Sequence, residues 1–229
     1  MTRYSWPCNS ILRSVLRKAL TPTMTNITVR RLGLQDYEPV WQQMQQFTAE
    51  RTADTPDEIW LVEHPPVYTL GLNGKREHIL DPQDIPVVQS DRGGQVTYHG
   101  PGQLVAYLLL DLKRRNLGIK QLVNHMEQAI IDLLAESGIQ AKRRQNAPGV
   151  YVNDAKIAAL GLRVRRGCCY HGLSLNIDMD LEPFSCINPC GFANLPTTQL
   201  SDLLPGATVS QTSTALLTQL QKQIDLPTT

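Results

Sequence analysis

The chain has 229 residues, of which 41% are hydrophobic and 19% are charged, and its formal net charge is +1. This is the composition of a globular protein that can bury a sizeable core, and the charge balance excludes a general electrostatic affinity for nucleic acid or an anionic membrane. The longest apolar run, Leu104–Leu110, is much shorter than the roughly 18 residues of a membrane span and predicts a buried strand.

The first 23 residues differ in composition from the rest of the chain. They hold four basic residues, no acidic ones and several serines, which is typical of a mitochondrial transit peptide. A disordered extension, or translation from Met24, explains the same composition. We expect residues 1–23 to be such an extension and residues 24–229 to form one domain.

Cysteine usage indicates the redox compartment. The chain has five cysteines, an odd number, and no secretory signal precedes them. This pattern predicts reduced thiols in the cytoplasm.

Hydrophobic periodicity predicts the elements from Asn26 onward. A first strand at Ile27–Leu34 precedes a helix near 36–52 that Asp36 can cap. Strands follow at Ile59–Glu63, Val67–Leu70, Val87–Gln89, Gln95–Tyr98 and Leu104–Leu110. A helix from Ile119 ends at Gly138. A meander of Gly149–Val152, Ile157–Val164 and Tyr170–Ile177 precedes a last helix at Val209–Ile224. Runs of strands with few crossover helices favour a mixed sheet of the α+β class over a doubly wound sheet.

Pro189-Cys190-Gly191 is a candidate nucleophile segment. Proline restricts the turn and glycine lets a substrate approach the main chain, so neighbouring N–H groups could hold an oxyanion. A buried structural cysteine is the commoner role for such a turn. A nucleophilic cysteine also needs help, because a free thiol with a pKa of ~8.5 is mostly protonated at neutral pH.

Lys156 is the candidate to supply that help. It opens the apolar strand after the turn-like pair Asn153-Asp154, where a cation could lie at the mouth of a pocket. Lowering a thiol pKa by about two units needs roughly 2.7 kcal/mol of preferential thiolate stabilisation, which one nearby lysine can provide. The alternative is an ordinary solvated lysine in a turn.

A glycine-rich loop, Arg92–Gly102, contains four glycines together with Tyr98 and His99. It matches neither the phosphate-binding loop nor the dinucleotide fingerprint. The glycines indicate either close backbone approach to a ligand or an elaborate hairpin.

Three other patterns in the sequence are weaker. Zinc binding by Cys168, Cys169, His171, Cys186 and Cys190 is disfavoured, because no C-x-x-C pair exists and adjacent cysteines in a strand face opposite sides. A redox pair of Cys186 and Cys190 has no independent support. Three basic clusters, at 113–115, 142–144 and 163–166, indicate solvated faces or, near a pocket, a docking surface for an acidic carrier protein.

Four segments in order resemble the signatures of the lipoyl(octanoyl) transferase family. They are Glu63–Gly71, Arg92–Tyr107, Gly149–Gly161 and Phe184–Gly191. The resemblance covers about residues 26–205 and leaves the amino-terminal extension outside it.

The resemblance implies a mixed sheet flanked by helices, as in the catalytic domains of biotin and lipoate protein ligases. It implies transfer of an octanoyl group from octanoyl-acyl carrier protein to a lysine of lipoyl domains in 2-oxoacid dehydrogenases and of the glycine cleavage H protein. This is the first step of endogenous protein lipoylation. No cofactor, metal, nucleic acid or membrane partner is implied. The expected location is the cytoplasm, or the mitochondrion if residues 1–23 are a transit peptide.

The resemblance also assigns roles to residues. Cys190 carries the acyl thioester, and Lys156 lowers its pKa. Substrate contacts fall on three segments: Arg92, Gly93, Gly94, Gln95, Val96, Thr97, Tyr98 and His99; Ala159, Leu160 and Gly161; and Gly172, Leu173 and Ser174.

Two rival functions stay open at this point. A lipoate or biotin ligase would activate a free acid with ATP and needs no cysteine nucleophile, so Cys190 is the discriminating residue. A non-enzymatic carrier-binding module would bind through the basic clusters without forming a covalent acyl adduct.

Overall fold

The computed structural model describes residues 27–189 and 195–226. Within this part of the chain, three helices are α1 (Tyr37–Glu50), α2 (Ile119–Glu136) and α3 (Val209–Ile224). The strands are β1 (Ile27–Leu34), β2 (Asp57–Glu63), β3 (Val67–Leu70), β4 (Val87–Gln89), β5 (Val96–His99), β6 (Gln103–Asp111), β7 (Lys142–Arg143), β8 (Val150–Val152), β9 (Ala155–Arg165) and β10 (Cys168–Asn176). The predicted extension, residues 1–23, lies outside the described residues.

A large sheet of seven strands has the order β1-β2-β6-β10-β9-β8-β7. Its pair β1–β2 is parallel and its other pairs are antiparallel. The α+β prediction is therefore confirmed, including the meander β8–β9–β10. Strand β7 was not predicted, because its two residues are exposed, basic and too few to show an alternating pattern.

The core lies on both faces of the large sheet, and β6 shows how it is divided. Leu104, Ala106, Leu108 and Leu110 face α2 and α3, whereas Val105, Tyr107 and Leu109 face α1. All seven are buried, so β6 reads in sequence as one continuous apolar run. Each face of the large sheet is therefore covered by helices, as expected for a strand buried on both sides.

A second sheet, of order β4-β3-β5, lies beside the α1 face. Its outer side packs on a third apolar cluster that includes Tyr68, Tyr98 and Phe184. The loop between β4 and β5 reaches the large sheet, where the Gly93 N–H donates to the Leu162 carbonyl at 2.9 Å. The small sheet thereby holds the glycine-rich loop over β9.

The helix ends test two predictions. Gly138 has φ +73° and its N–H donates to the Ala135 carbonyl, so it ends α2 as predicted. Asp36 stands at the N-cap of α1 but its side chain makes no capping hydrogen bond, so that prediction was wrong. Among the described residues, no helix is long and apolar enough to cross a membrane.

Candidate active site

Two adjoining cavities lie between the small sheet and the large one. The first has a mostly apolar lining drawn from α1, β5, β6, β9 and β10. The second contains Lys156 and Pro189 in its lining. Thr97, Ala159 and Ser174 line both cavities, so the two adjoin along these residues. We call the first the acyl pocket, after the substrate that the family resemblance implies, and the second the lysine cavity.

Lys156 enters the lysine cavity from the start of β9. A two-residue hairpin precedes it, in which Asn153 and Asp154 have φ +47° and +67°, as type I′ turns require. The main chain of Lys156 is fixed on its other side, because its N–H donates to the Pro196 carbonyl at 2.7 Å. The tight turn before Lys156 and the hydrogen bond to Pro196 therefore fix the position of the lysine main chain.

The Lys156 side chain is 4% exposed and is closely surrounded by other residues. Its Nζ lies 5.5 Å from the centre of the Tyr151 ring, a cation–π contact. A Cβ on Gly149 would come within 2.5 Å of Lys156 Cε and 3.1 Å of Nζ. Glycine at 149 thus makes room for the lysine.

Cys190 lies outside the described residues, as do residues 191–194. The residue before it, Pro189, is buried and lines the lysine cavity. The described chain therefore stops, before this gap, at a residue in the wall of the lysine cavity.

Most residues predicted to bind substrate line the acyl pocket. These are Arg92, Gly94, Gln95, Val96, Thr97, His99, Ala159, Leu160, Gly161, Gly172, Leu173 and Ser174. Gly93 and Tyr98 do not. Tyr98 points to the far side of β5, where its ring packs 5.5 Å from those of Tyr68 and Phe184. Strand alternation explains this placement, since Thr97 and His99 occupy the pocket face of β5.

Glycines let the walls of the acyl pocket approach one another. A Cβ on Gly161 would lie 3.0 Å from the Gly93 carbonyl oxygen and 3.2 Å from Arg92 Cδ. A Cβ on Gly172 would lie 2.0 Å from the Ala106 carbonyl oxygen. Close approach of neighbouring protein atoms is therefore the reason for glycine at 161 and 172.

Sequence reasoning missed four residues of the acyl pocket: Tyr37, Val105, Tyr107 and His171. Val105 and Tyr107 are spaced two apart on β6, a signal that could have been found once one face of β6 was assigned to the pocket. Tyr37 comes from α1, far away in sequence, and carried no local signal.

Three of the pocket rings belong to a ring cluster, which we define as Tyr37, His64, His99 and Tyr107. Neighbouring ring centres in the cluster lie 5.4 to 5.9 Å apart. His64 stands behind the other three and is fully buried. The cluster forms one aromatic wall of the acyl pocket.

The polar atoms of the ring cluster are bonded to protein groups. Tyr37 Oη and Ser90 Oγ are 2.7 Å apart, and His64 Nε2 lies 2.7 Å from Tyr107 Oη. His64 Nδ1 lies 2.6 Å from the Gln35 carbonyl, which can only accept, so Nδ1 donates and Tyr107 donates to Nε2. The rings therefore present mainly carbon atoms to the pocket, because their polar atoms are already hydrogen-bonded to other protein groups.

Burial keeps these histidines neutral. It lowers the pKa of His64 to about 4, against the opposing effect of the hydrogen bond to Gln35. Burial, with the neighbouring His64, lowers the pKa of His99 to about 3. Burial raises the pKa of Tyr37 to about 12 despite the hydrogen bond with Ser90. At neutral pH the wall is uncharged.

Asp91 ties α1 to β10 beside the pocket. Its carboxylate accepts from Trp41 Nε1 at 2.7 Å, Gln45 Nε2 at 3.0 Å and His171 Nε2 at 2.8 Å, and from the Tyr170 hydroxyl. Burial alone would raise the pKa of Asp91, but the bonds from His171, Tyr170 and Gln45 hold it well below its usual value. Burial lowers the pKa of His171, although Asp91 opposes the shift.

A local backbone distortion allows this arrangement. His171 has φ +62°, a left-handed conformation that residues other than glycine rarely adopt. The ladder between β10 and β6 skips Tyr170 and His171. Consecutive residues of an ordinary strand point to opposite faces, but here the two rings stack at 5.1 Å on the pocket side.

The described members of the disfavoured zinc set do not converge. Cys169 faces the helices, where its Sγ lies 3.3 Å from the Leu108 carbonyl, and His171 binds Asp91. Among the described residues, no group of three or more His, Cys, Asp or Glu side chains is placed to hold a metal ion.

Two of the basic clusters serve internal ion pairs. Arg114 and Arg115 both bind the buried carboxylate of Asp57, at 2.6 and 2.5 Å. Arg143 binds Glu127 at 3.0 Å. The third cluster ends β9, and its members Arg165 and Arg166 are exposed.

Comparison with known proteins identifies the family. Residues 36–221 match the model of the lipoyl protein ligase A/B catalytic domain. The chain is 61% identical over 199 residues to an octanoyltransferase from Thiobacillus denitrificans, covering 87% of this chain and 91% of the relative. It is 62% identical over 196 residues to an octanoyltransferase from Pseudomonas fluorescens, covering 86% and 91%. The chain belongs to the octanoyltransferase family. The family resemblance drawn from the four motifs is confirmed, and membership makes the protein an acyltransferase.

Solved structures share the fold of this octanoyltransferase family member at much lower identity. A bipartite lipoate protein ligase from Thermoplasma acidophilum is 15% identical with a TM-score of 0.67, covering 89% of this chain and 86% of the ligase. The biotin protein ligase of Aquifex aeolicus is 10% identical with a TM-score of 0.52, covering 87% and 69%. The expected likeness to ligase catalytic domains is confirmed for the fold.

Proposed function

We propose that this protein transfers an octanoyl group from octanoyl-acyl carrier protein to a specific lysine of lipoyl domains, through a thioester on Cys190. The observation that carries the proposal is that the acyl pocket adjoins the lysine cavity, whose lining includes both Lys156 and Pro189. A hydrocarbon chain in the pocket would present its carbonyl beside Lys156 and the segment that follows Pro189.

In the first half-reaction, the Cys190 thiolate attacks the thioester carbonyl of the donor. The bond from carbon to Cys190 sulfur forms and the bond to the pantetheine sulfur breaks. Main-chain N–H groups near Cys190 stabilise the oxyanion between these events. Lys156 favours the thiolate electrostatically and gives a proton to the departing pantetheine thiolate.

In the second half-reaction, the amine of the acceptor lysine attacks the acyl-Cys190 carbonyl. An amide forms, Cys190 leaves as a thiolate, and Lys156 accepts the proton lost by the amine. An amide is more stable than a thioester, so no ATP is needed. Two half-reactions at one site give ping-pong kinetics.

The acceptors in this proposal are the lipoyl domains of 2-oxoacid dehydrogenases and the glycine cleavage H protein, and the reaction is the first step of endogenous lipoylation. The fold neighbours include a lipoate protein ligase described with its E2 lipoyl domain, which favours such acceptors. The cytoplasm is the proposed location, because the relatives come from bacteria and Cys168, Cys169 and Cys186 are free thiols.

The test is intact-protein mass spectrometry after mixing the full chain with octanoyl-acyl carrier protein. We expect one octanoyl adduct, absent from Cys190→Ala and removed when a lipoyl domain is added. Lys156→Met, which keeps a flexible chain as far as Cε and removes the charged Nζ, should slow adduct formation at least about tenfold, the equivalent of one pKa unit at the thiol. Cys186→Ala is the matched control, because this thiol lies four positions earlier and should leave the adduct unchanged.

Other outcomes would overturn the proposal. Acylation of the lipoyl domain from free octanoate with ATP, but not from the carrier thioester, would identify a ligase. Carrier binding with no adduct would identify a binding module. An adduct that persists in Cys190→Ala would place the acyl group elsewhere.

A further inference from the structure

The acyl pocket has an end remote from Lys156, and the sheet register locates it. Gly161 of β9 pairs with Gly172 of β10, which pairs with Tyr107 of β6. From Lys156 to this row are five residues along β9, or about 16 Å at the usual rise of a strand. An extended eight-carbon chain is on the order of 10 Å long. Allowing for the lysine side chain and the thioester, the methyl end of an octanoyl group reaches the row of Tyr107.

Tyr37 borders the pocket beside the tip of the Tyr107 side chain, because the Tyr107 hydroxyl bonds His64 and the His64 ring contacts that of Tyr37 at 5.4 Å. The Tyr37 ring stacks on His99 with centres 5.9 Å apart, and His99 lines the pocket next to it. Tyr37 also lines a separate surface cleft between the start of α1 and Pro65-Pro66. It is the one described residue that lines both the acyl pocket and this cleft, so it stands between them.

The Tyr37 ring is held firmly in this position. Its hydroxyl is bonded to Ser90, and its ring has an edge-to-face contact with His64 at 5.4 Å. The side chain is 4% exposed although a solvent-filled cleft lies on its other side. A fixed partition, unlike a mobile side chain, gives a sharp limit to what the pocket accepts.

We propose that Tyr37 sets the upper limit of acyl chain length, because its ring separates the closed end of the acyl pocket from the cleft beyond it. This inference rests on the proposed function, since it takes the acyl carbonyl to lie beside Lys156. Removal of the ring joins the pocket to the cleft, so a longer chain can pass through without displacing its carbonyl.

The experiment compares octanoyl-, decanoyl- and dodecanoyl-acyl carrier protein as donors to a lipoyl domain, for the wild type and two variants. Tyr37→Ala should raise the dodecanoyl-to-octanoyl ratio of kcat/KM at least about tenfold, the discrimination of a single methylene. Tyr37→Phe keeps the ring and should keep the wild-type ratio. An unchanged ratio in a folded Tyr37→Ala variant overturns the inference.

Two further variants keep the test decisive. Tyr37→Leu shortens the side chain with less loss of packing, and should favour decanoyl transfer if Tyr37→Ala fails to fold. Met44→Ala lies on the same helix and is fully buried, but lines neither cavity, so it should lose stability without changing the ratio.

Binding of free fatty acids separates this inference from the catalytic proposal. Calorimetry with octanoate and dodecanoate reports the length of the pocket even if no acyl adduct forms on any variant. Dodecanoate should gain at least about tenfold in affinity relative to octanoate in Tyr37→Ala. Equal ratios for the wild type and Tyr37→Ala would overturn the chain-length role, whatever the outcome for Cys190.

Discussion

Mild acid should destabilise the protein through the ring cluster. In the unfolded chain, His64 and His99 take up protons near the ordinary histidine pKa of about 6.5. In the folded chain, burial lowers the pKa of His64 to about 4 and that of His99 to about 3. The contribution of these two histidines to stability is therefore complete above about pH 6.5. It is lost as the pH falls below that value, because only the unfolded state gains protons.

The expected loss can be worked out from these shifts. At about pH 5.5, one pH unit below the unfolded pKa, each histidine lowers the free energy of unfolding by about 1.4 kcal/mol. Together the two histidines lower the free energy of unfolding by about 2.7 kcal/mol when the pH falls from about 7.5 to about 5.5. His171, whose pKa burial also lowers, acts in the same direction. Asp91 contributes little in this window, because its lowered pKa keeps it ionised and an unfolded aspartate titrates near about 4.

Urea unfolding of the wild type and His64→Gln at the two pH values tests this reasoning. Glutamine can donate to the Gln35 carbonyl and accept from Tyr107 but cannot titrate. We expect His64→Gln to lose about 1.3 kcal/mol less than the wild type on acidification. His125→Gln, on α2 and outside the ring cluster, should lose as much as the wild type. Equal losses in the wild type and His64→Gln would refute the assignment of a buried neutral histidine.

Two substitutions test the packing beside the site. Gly149→Ala places a Cβ 2.5 Å from Lys156 Cε and 2.7 Å from a backbone oxygen, so octanoyl-adduct formation should slow by about 100-fold in mass spectrometry. Gly138→Ala also has a positive φ but meets no atom within 4 Å, and should keep its activity; equal rates in the two variants would contradict the role of Gly149. Asp57→Asn should lower the urea-measured free energy of unfolding by about 3–5 kcal/mol, because Arg51 and Arg115 are only 4% and 5% exposed. A loss below about 1 kcal/mol would show that the arginines find other compensation.

The regular elements could be predicted because their signals are local. The helix Val209–Ile224 and the strand Val67–Leu70 were predicted with their exact bounds, since apolar spacing and turn residues mark both ends. Lys142–Arg143 could not be predicted, because its pairing with β8 depends on a neighbour rather than on its own two residues.

The candidate site divides in the same way. Lys156 and most of the glycine-rich loop, which line the two cavities, could be predicted as candidates because short motifs carry them. Tyr37 was missed, since its position depends on how α1 packs across the sheet. His171 was considered only as a zinc ligand, and its left-handed backbone, which turns the ring into the pocket, has no signature in the local sequence.

The alternation along β6 has a consequence for how this protein can change over generations. Positions 104, 106, 108 and 110 serve the helical core, and positions 105 and 107 serve the pocket. Positions that border the pocket and pack on α1 are thus interleaved in one strand with positions that pack on α2 and α3. A library that varies only 105 and 107 leaves the packing on α2 and α3 untouched while it changes the pocket lining and the packing on α1, whereas an insertion of one residue would exchange the two sets and lose both at once.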